Sequence, residues 1–219
     1  MIITIDGPGA SGKGTIARIL ARDLGFACLE TGLLYRAVAA KLLEKFNQSE
    51  WDESFAISLA KNIGTNDLIR KDLRDTKVEN LAAEISKNAE IRAAMLDFQR
   101  EFAKNPPNNA QGAVLDGRDT GSVVCPKADI KFFITADLEI RAKRRWRELT
   151  EQKYKISNET VYETLKNRDK HDSSRRLSPL FKASDAHVID TSSISIDEAV
   201  ARALKIVQKF FPDKRFRSR

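Results

Sequence analysis

Short, mostly apolar runs punctuate the chain at Ile2–Ile5, Phe26–Leu29, Ala113–Leu115, Ile130–Ile134 and His187–Ile189. A strand with one wet face alternates apolar and polar positions; consecutive apolar residues predict strands buried on both faces, as in a parallel sheet. Between these runs, apolar residues recur at helical spacing over Lys13–Leu24, Leu33–Phe46, Val78–Phe102, Ile140–Leu149 and Asn158–Asp169. A last helix follows Ser195, where Ser195-Ile196-Asp197-Glu198 has the form of a capping box. Its apolar face continues through Val200, Leu204 and Val207. Strand–helix alternation predicts an α/β fold, a five-stranded parallel sheet flanked by helices with right-handed crossovers. Asn105-Pro106-Pro107-Asn108-Asn109 reads as a loop and Pro212–Arg219 as a solvated basic end. Segments 41–111 and 141–184 break the rhythm. They are expected to be mostly helical insertions into one core made of 1–40, 112–140 and 185–219.

The first strand leads into Gly7-Pro8-Gly9-Ala10-Ser11-Gly12-Lys13-Gly14-Thr15. G-x-x-x-x-G-K between a strand and a helix predicts a phosphate-binding loop, with backbone N–H groups wrapped around a phosphate and Lys13 adding a mobile cation. The helix that starts there contributes its dipole. A glycine-rich turn that only joins strand to helix fits this context less well. Gly14 stands where many such loops carry Ser or Thr, and the hydroxyl comes one residue later, at Thr15. Mg²⁺ is therefore expected to be held mainly by nucleotide phosphates and water, with Thr15 the candidate protein hydroxyl.

Behind the second strand stands Glu30-Thr31-Gly32-Leu33-Leu34-Tyr35-Arg36. Thr31 is a natural N-cap, and Thr31 and Tyr35 share one helix face. Alone, this could be a cap with a surface arginine. Behind the third strand stands Asp116-Gly117-Arg118-Asp119-Thr120-Gly121. Adjacent opposite charges where a buried strand surfaces need a reason. As a buried structural pair they would be costly, and as a surface pair worth only about 0–1 kcal/mol. Ligands bind beyond the carboxyl ends of strands in open α/β sheets, so a polar ligand is the better reading.

TG-x-x-YR followed by DGRD-x-G, behind a GKGT loop, resembles the bacterial cytidylate (CMP/dCMP) kinases, which are nucleoside monophosphate kinases of the P-loop class. The resemblance extends to Val123-Val124-x-Pro126, to Arg168-Asp169-x-x-Asp172-x-x-Arg175 and to Asp185-Ala186. It implies a P-loop nucleoside monophosphate kinase fold whose insertion 41–111 binds the monophosphate and whose region 141–184 is a lid. It also implies transfer of the γ-phosphoryl group of ATP to CMP or dCMP, with Mg²⁺. Arg118 and Arg36 then match ligands of the acceptor phosphate, with Tyr35 beside them. Asp119 and Thr31 match the groups that accept from the cytosine amino group, and Arg92, in the helix Asn88–Phe102, an arginine facing the base. Arg168 and Asp172 match a pair near the ribose, and Arg175 an arginine near the phosphates; Lys13, Arg118, Arg168 and Arg175 are the catalytic candidates. Arg141, Arg144 and Arg145 match the lid over the donor, and Asp190–Ser193 a loop near adenine. The chain departs from the family at Ala83, where a serine is usual, and at His171, where a basic residue is more frequent. Asn62–Thr76 is short for the small antiparallel sheet that many members carry.

At 219 residues the chain suits one domain with insertions, and its formal net charge of +7 favours anionic partners. Positive residues gather between Arg141 and Arg176, but aromatic residues there are sparse (Trp146, Tyr154, Tyr162). A stacking platform for nucleic acid is not expected. Cys28 and Cys125 lie in apolar contexts and are expected as buried free thiols. With no signal-like start and no long apolar stretch, a cytoplasmic protein, monomeric and free of membrane, is expected. The alternatives are a kinase for another monophosphate, such as UMP, AMP or dTMP, and a nucleotide-dependent nucleic-acid-binding module.

Overall fold

The computed structural model describes residues 1–46 and 51–212. The strands are β1 (Ile2–Asp6), β2 (Ala27–Glu30), β3 (Ala113–Gly117), β4 (Ile130–Thr135) and β5 (His187–Asp190). They form one parallel sheet in the order β2-β3-β1-β4-β5. The helices are α1 (Lys13–Leu24), α2 (Gly32–Lys45), α3 (Glu53–Lys61), α4 (Thr76–Ile85), α5 (Ala89–Lys104), α6 (Leu138–Glu151), α7 (Asn158–Ser174) and α8 (Ile196–Phe210). The chain forms two compact units, one of Met1–Leu29 with Pro106–Arg219, the other of Glu30–Asn105.

The first unit is built on β1, which pairs with β3 and β4 so that Ile5 faces Asp116 and Asp6 faces Gly117. Ile3 and Ile5 are wholly buried, and Ile16 and Leu20 of α1, Phe132 of β4, and Val200 and Val207 of α8 complete the core. Here the apolar runs behave as expected. At the edge they do not: Val188 of β5 is 49% exposed, because β5 pairs with β4 on one side and nothing in the sheet order follows it. Gly25, with φ +67, ends α1 in the left-handed conformation, which glycine adopts without steric cost. Ser195 caps α8 as expected, its hydroxyl accepting from the Glu198 amide. Both cysteines are free; Cys125 is buried, but Cys28 is only partly so, correcting the expectation of two buried thiols.

In the second unit the helical spacing over Val78–Phe102 resolves into two helices, α4 and α5, the second matching the helix expected over Asn88–Phe102. Ile85 and Ile91 carry the apolar rhythm across the break, so periodicity alone merges them. Asn88 separates them by starting a new helix, its side-chain oxygen accepting from the Ile91 amide. Helix α3 was not expected; Asp52 caps it by accepting from the Phe55 amide. Helix α2 packs with α3 and α4, which groups it with this unit although sequence assigned most of it to the core. Residues 62–76 form two short 3₁₀ turns, Thr65–Ile69 and Lys71–Arg74. Among the described residues of 31–105 there is no strand. The basic end expected over Pro212–Arg219 lies, from residue 213 on, outside the described residues.

Candidate active site

The loop Gly7–Lys13, termed the donor loop after the role expected of it, leaves β1 at a position where only glycine fits. Gly7 has φ +150, and a Cβ there would stand 2.0 Å from the Ile134 carbonyl oxygen. Gly12 (φ +88) and Ala10 (φ +58) turn the loop back toward α1. Lys13 is buried; its Nζ lies 3.3 Å from the Pro8 carbonyl, to which it donates, and 3.9 Å from an Asp116 carboxylate oxygen. Burial, reinforced by the positive field of Arg118, brings the Lys13 ammonium down to about 8, with Asp116 working the other way. A cation held under such pressure is complementary to an anionic ligand. Thr15 is exposed in the first turn of α1, and its hydroxyl accepts from Arg18 Nη2 at 3.3 Å. Among the described residues no group of three or more His, Cys, Asp and Glu side chains could hold a metal ion.

At the carboxyl end of β3, Arg118 donates from Nε to Asp172 Oδ2 at 2.8 Å and from Nη1 to the Gly117 carbonyl at 3.2 Å. Asp172 belongs to α7, and its other oxygen lies 3.7 Å from Arg175 Nη1. Burial opposes the charge on Asp172, but Arg118, backed by Arg168 and Arg175, outweighs it and holds the carboxyl below its usual range. Arg118, Asp172 and Arg175 are thus brought together. Arg168, one turn earlier on α7, is exposed and acts on Asp172 through its charge. Asp119 is partly buried and opens the wide turn Thr120–Val124.

Of the arginines expected in a lid, Arg141 is buried. It donates from Nε to the Ala136 carbonyl (2.8 Å), and from Nη1 to the Gly9 carbonyl (3.2 Å) and Asp169 (2.7 Å). It therefore ties the donor loop to α6 and α7. Arg144 donates to the hydroxyl and carbonyl of Thr191 at 2.9 and 2.6 Å. Thr191 in turn bonds the Ser11 carbonyl at 3.0 Å, which anchors the loop Asp190–Ser193 to the donor loop. Arg145 pairs with Glu148 one turn along α6.

The second unit holds Thr31, Tyr35, Arg36 and Arg92. Thr31 is buried at the start of α2, but its backbone is already helical (φ −60, ψ −26) and its side chain makes no capping bond. The expected cap is absent because a capping side chain needs an extended backbone at that position. Tyr35 and Arg92 are brought together, the guanidinium 5.8 Å from the ring centroid. Arg36 pairs with Glu79 at 2.7 Å and donates to the Leu73 carbonyl at 3.4 Å.

Sequence reasoning gave no role to Asp6 or Asp116. Asp6 ends β1 and Asp116 stands next to last in β3, both beside the loops of interest, and an acidic residue at such a place was the available signal.

The description of the cytidylate kinase family matches residues 3–209, nearly the whole chain. The chain belongs to the cytidylate kinase family. Among curated cytidylate kinases, that of Paramagnetospirillum magneticum is 47% identical over 206 residues, covering 94% of this chain and 97% of the relative. That of Xanthobacter autotrophicus is 45% identical over 208 residues, covering 95% and 97%. A crystal structure of an uncharacterized protein from Eubacterium ventriosum shares the fold, with a TM-score of 0.57 at 17% identity, covering 95% of this chain and 98% of that one. Within the family's match lie the donor loop, the Arg118–Asp119 pair and the Arg168–Arg175 stretch of α7.

Proposed function

We propose that the protein transfers the γ-phosphoryl group of ATP to CMP or dCMP, releasing ADP and CDP or dCDP. The observation that carries this reading is the pairing, within one unit, of a complete phosphate loop with a strand end presenting Arg118 beside Asp119. The names borne by its relatives support the same acceptor. Phosphoryl transfer asks little covalent chemistry of a protein; it needs alignment and neutralisation of charge. Lys13 and the loop amides bind the donor phosphates. Arg118 and Arg175 bind and orient the acceptor phosphate, and Arg168 and Asp172 serve the ribose side. Asp119 accepts from the C4 amino group of cytosine, while a uracil carbonyl at that place would be repelled. Thr31, Tyr35, Arg36 and Arg92 are further acceptor ligands, and Arg141, Arg144 and Arg145 serve the donor side. Mg²⁺, carried in with ATP, supplies charge neutralisation across the phosphates, with Thr15 as the protein hydroxyl.

No helix among the described residues is long and apolar enough to cross a membrane. Two free cysteines fit a reducing compartment, and we place the protein in the cytoplasm, as a monomer. A coupled assay of ADP release with CMP, dCMP, UMP, AMP and dTMP tests the reading. CMP and dCMP are expected to dominate kcat/KM; a wild-type preference for UMP or AMP would overturn it.

A further inference from the structure

Asp6 is the last residue of β1, directly before the donor loop, and only 5% exposed. Its carboxylate nevertheless faces the acceptor segment. Oδ1 accepts from the Thr120 amide at 2.8 Å and from the Thr120 hydroxyl at 2.7 Å, and Oδ2 accepts from the Gly121 amide at 2.8 Å. A charge buried this deeply is tolerated only when donors surround it.

The segment it holds is unusual. The Val123 and Val124 amides both donate to the Asp119 carbonyl, at 2.9 and 3.1 Å, and the Cys125 amide donates to the Thr120 carbonyl at 2.8 Å. Bonds spanning five residues make a turn wider than an α-helix, a form that is rare and concentrated at functional sites. At Gly121 a Cβ would stand 2.7 Å from Thr4 Oγ1 and 3.3 Å from Asp6 Oδ2, so the turn sits flat against β1. Asp119, whose carbonyl closes the wide turn, stands immediately before the two residues Asp6 grips. Burial pushes the Asp6 carboxyl up to about 6, restrained by the Gly121 and Thr120 bonds, so it is charged at neutral pH and all three donors find an acceptor.

We infer that Asp6 is a positioning residue for the acceptor: by holding Thr120 and Gly121 it sets the direction in which Arg118 and Asp119 leave the sheet. This rests on the acceptor reading given above. Its place in the chain offers the competing assignment, a strut for the donor loop. The two differ in which substrate suffers when Asp6 is changed, since small misplacements of a binding group cost heavily in the step it serves.

The test is Asp6→Asn, with Thr120→Val as a milder companion that removes only the hydroxyl bond. Steady-state kinetics are run with ATP and CMP varied in turn, on protein whose folded fraction is fixed by circular dichroism. An amide at position 6 points N–H groups at a backbone N–H on one side. The KM for CMP is expected to rise about tenfold, from the loss of a charge-assisted bond. The CMP-over-UMP ratio should fall, and the KM for ATP should stay within about twofold. Thr120→Val should move the CMP KM in the same direction by about threefold. An unchanged CMP KM in folded Asp6→Asn overturns the inference, as does an equal rise in both KM values, which would assign Asp6 to the donor loop. If Asp6→Asn does not fold, Thr120→Val decides, and an unchanged CMP KM there is equally fatal. Should the wild type prefer another monophosphate, the acceptor reading alone fails, and the same split is read on that monophosphate.

Discussion

Arg118 on β3 and Asp172 on α7 meet at 2.8 Å across 54 positions of sequence, both largely buried. Each is the other's main counter-charge, so neither can be removed cleanly. Truncating one partner of a buried pair leaves the other uncompensated, at about 3–5 kcal/mol. The partial exposure here and the nearby Arg175 reduce that to about 2 kcal/mol for Asp172→Ala. Urea unfolding of both single variants and the double variant should show the double less destabilised than the sum of the two. Strict additivity would mean that the pair carries no coupling.

Replacing Lys13 by alanine should lower kcat by about 10²–10³, the usual cost of losing a donor to developing charge. Stability should not fall, because burial already works against the Lys13 charge. Turnover near wild type on folded protein would take Lys13 out of the reaction.

Asp119→Ala should lose mainly the preference for CMP over UMP. A site built to hydrogen-bond one group rejects the analogue lacking it far more strongly than an apolar pocket does. Specificity constants for both nucleotides decide it: a variant that keeps the full preference makes Asp119 an orienter of Arg118 instead.

The Asp6 carboxyl has a pH signature of its own in stability. Its folded value of about 6 lies above the ordinary 3.8, so the folded state binds the proton more tightly. The contribution of that proton to stability declines as pH rises through this window and is constant above it. Relative to Asp6→Asn, the wild type should therefore be more stable at pH 4.5 than at pH 7 by about 2 kcal/mol. Urea midpoints at both pH values measure this, and parallel behaviour of the two proteins would contradict it.

The sheet and the donor loop were legible because their signals are local: unbroken apolar runs, and a fixed glycine–lysine spacing next to one of them. Helix α3 was not, and apolar periodicity alone did not show the break between α4 and α5. Both depend on single side-chain caps, Asp52 and Asn88, which act on one amide each and leave the apolar rhythm unchanged. Among site residues, Arg118 and Asp119 stood out through their adjacency. Asp6 did not, since its partners Thr120 and Gly121 lie more than a hundred residues away and only the pairing of β1 with β3 brings them close. Arg141 was expected in a lid over the donor; its burial goes with the docking of α7 through Asp169, which helix periodicity does not reveal.

The crowding at Gly7 has a bearing on how this chain can vary. A methyl group there would collide with the main chain of β4 at Ile134, and backbone cannot step aside as a side chain can. Substitution at this position therefore pries two neighbouring strands apart before it ever disturbs a nucleotide. In a saturation screen the losses at position 7 should show up as missing soluble protein. Losses at Lys13, in the same loop, should show up as intact protein without turnover. The same loop would then be read twice by selection, once for assembling the molecule and once for running it.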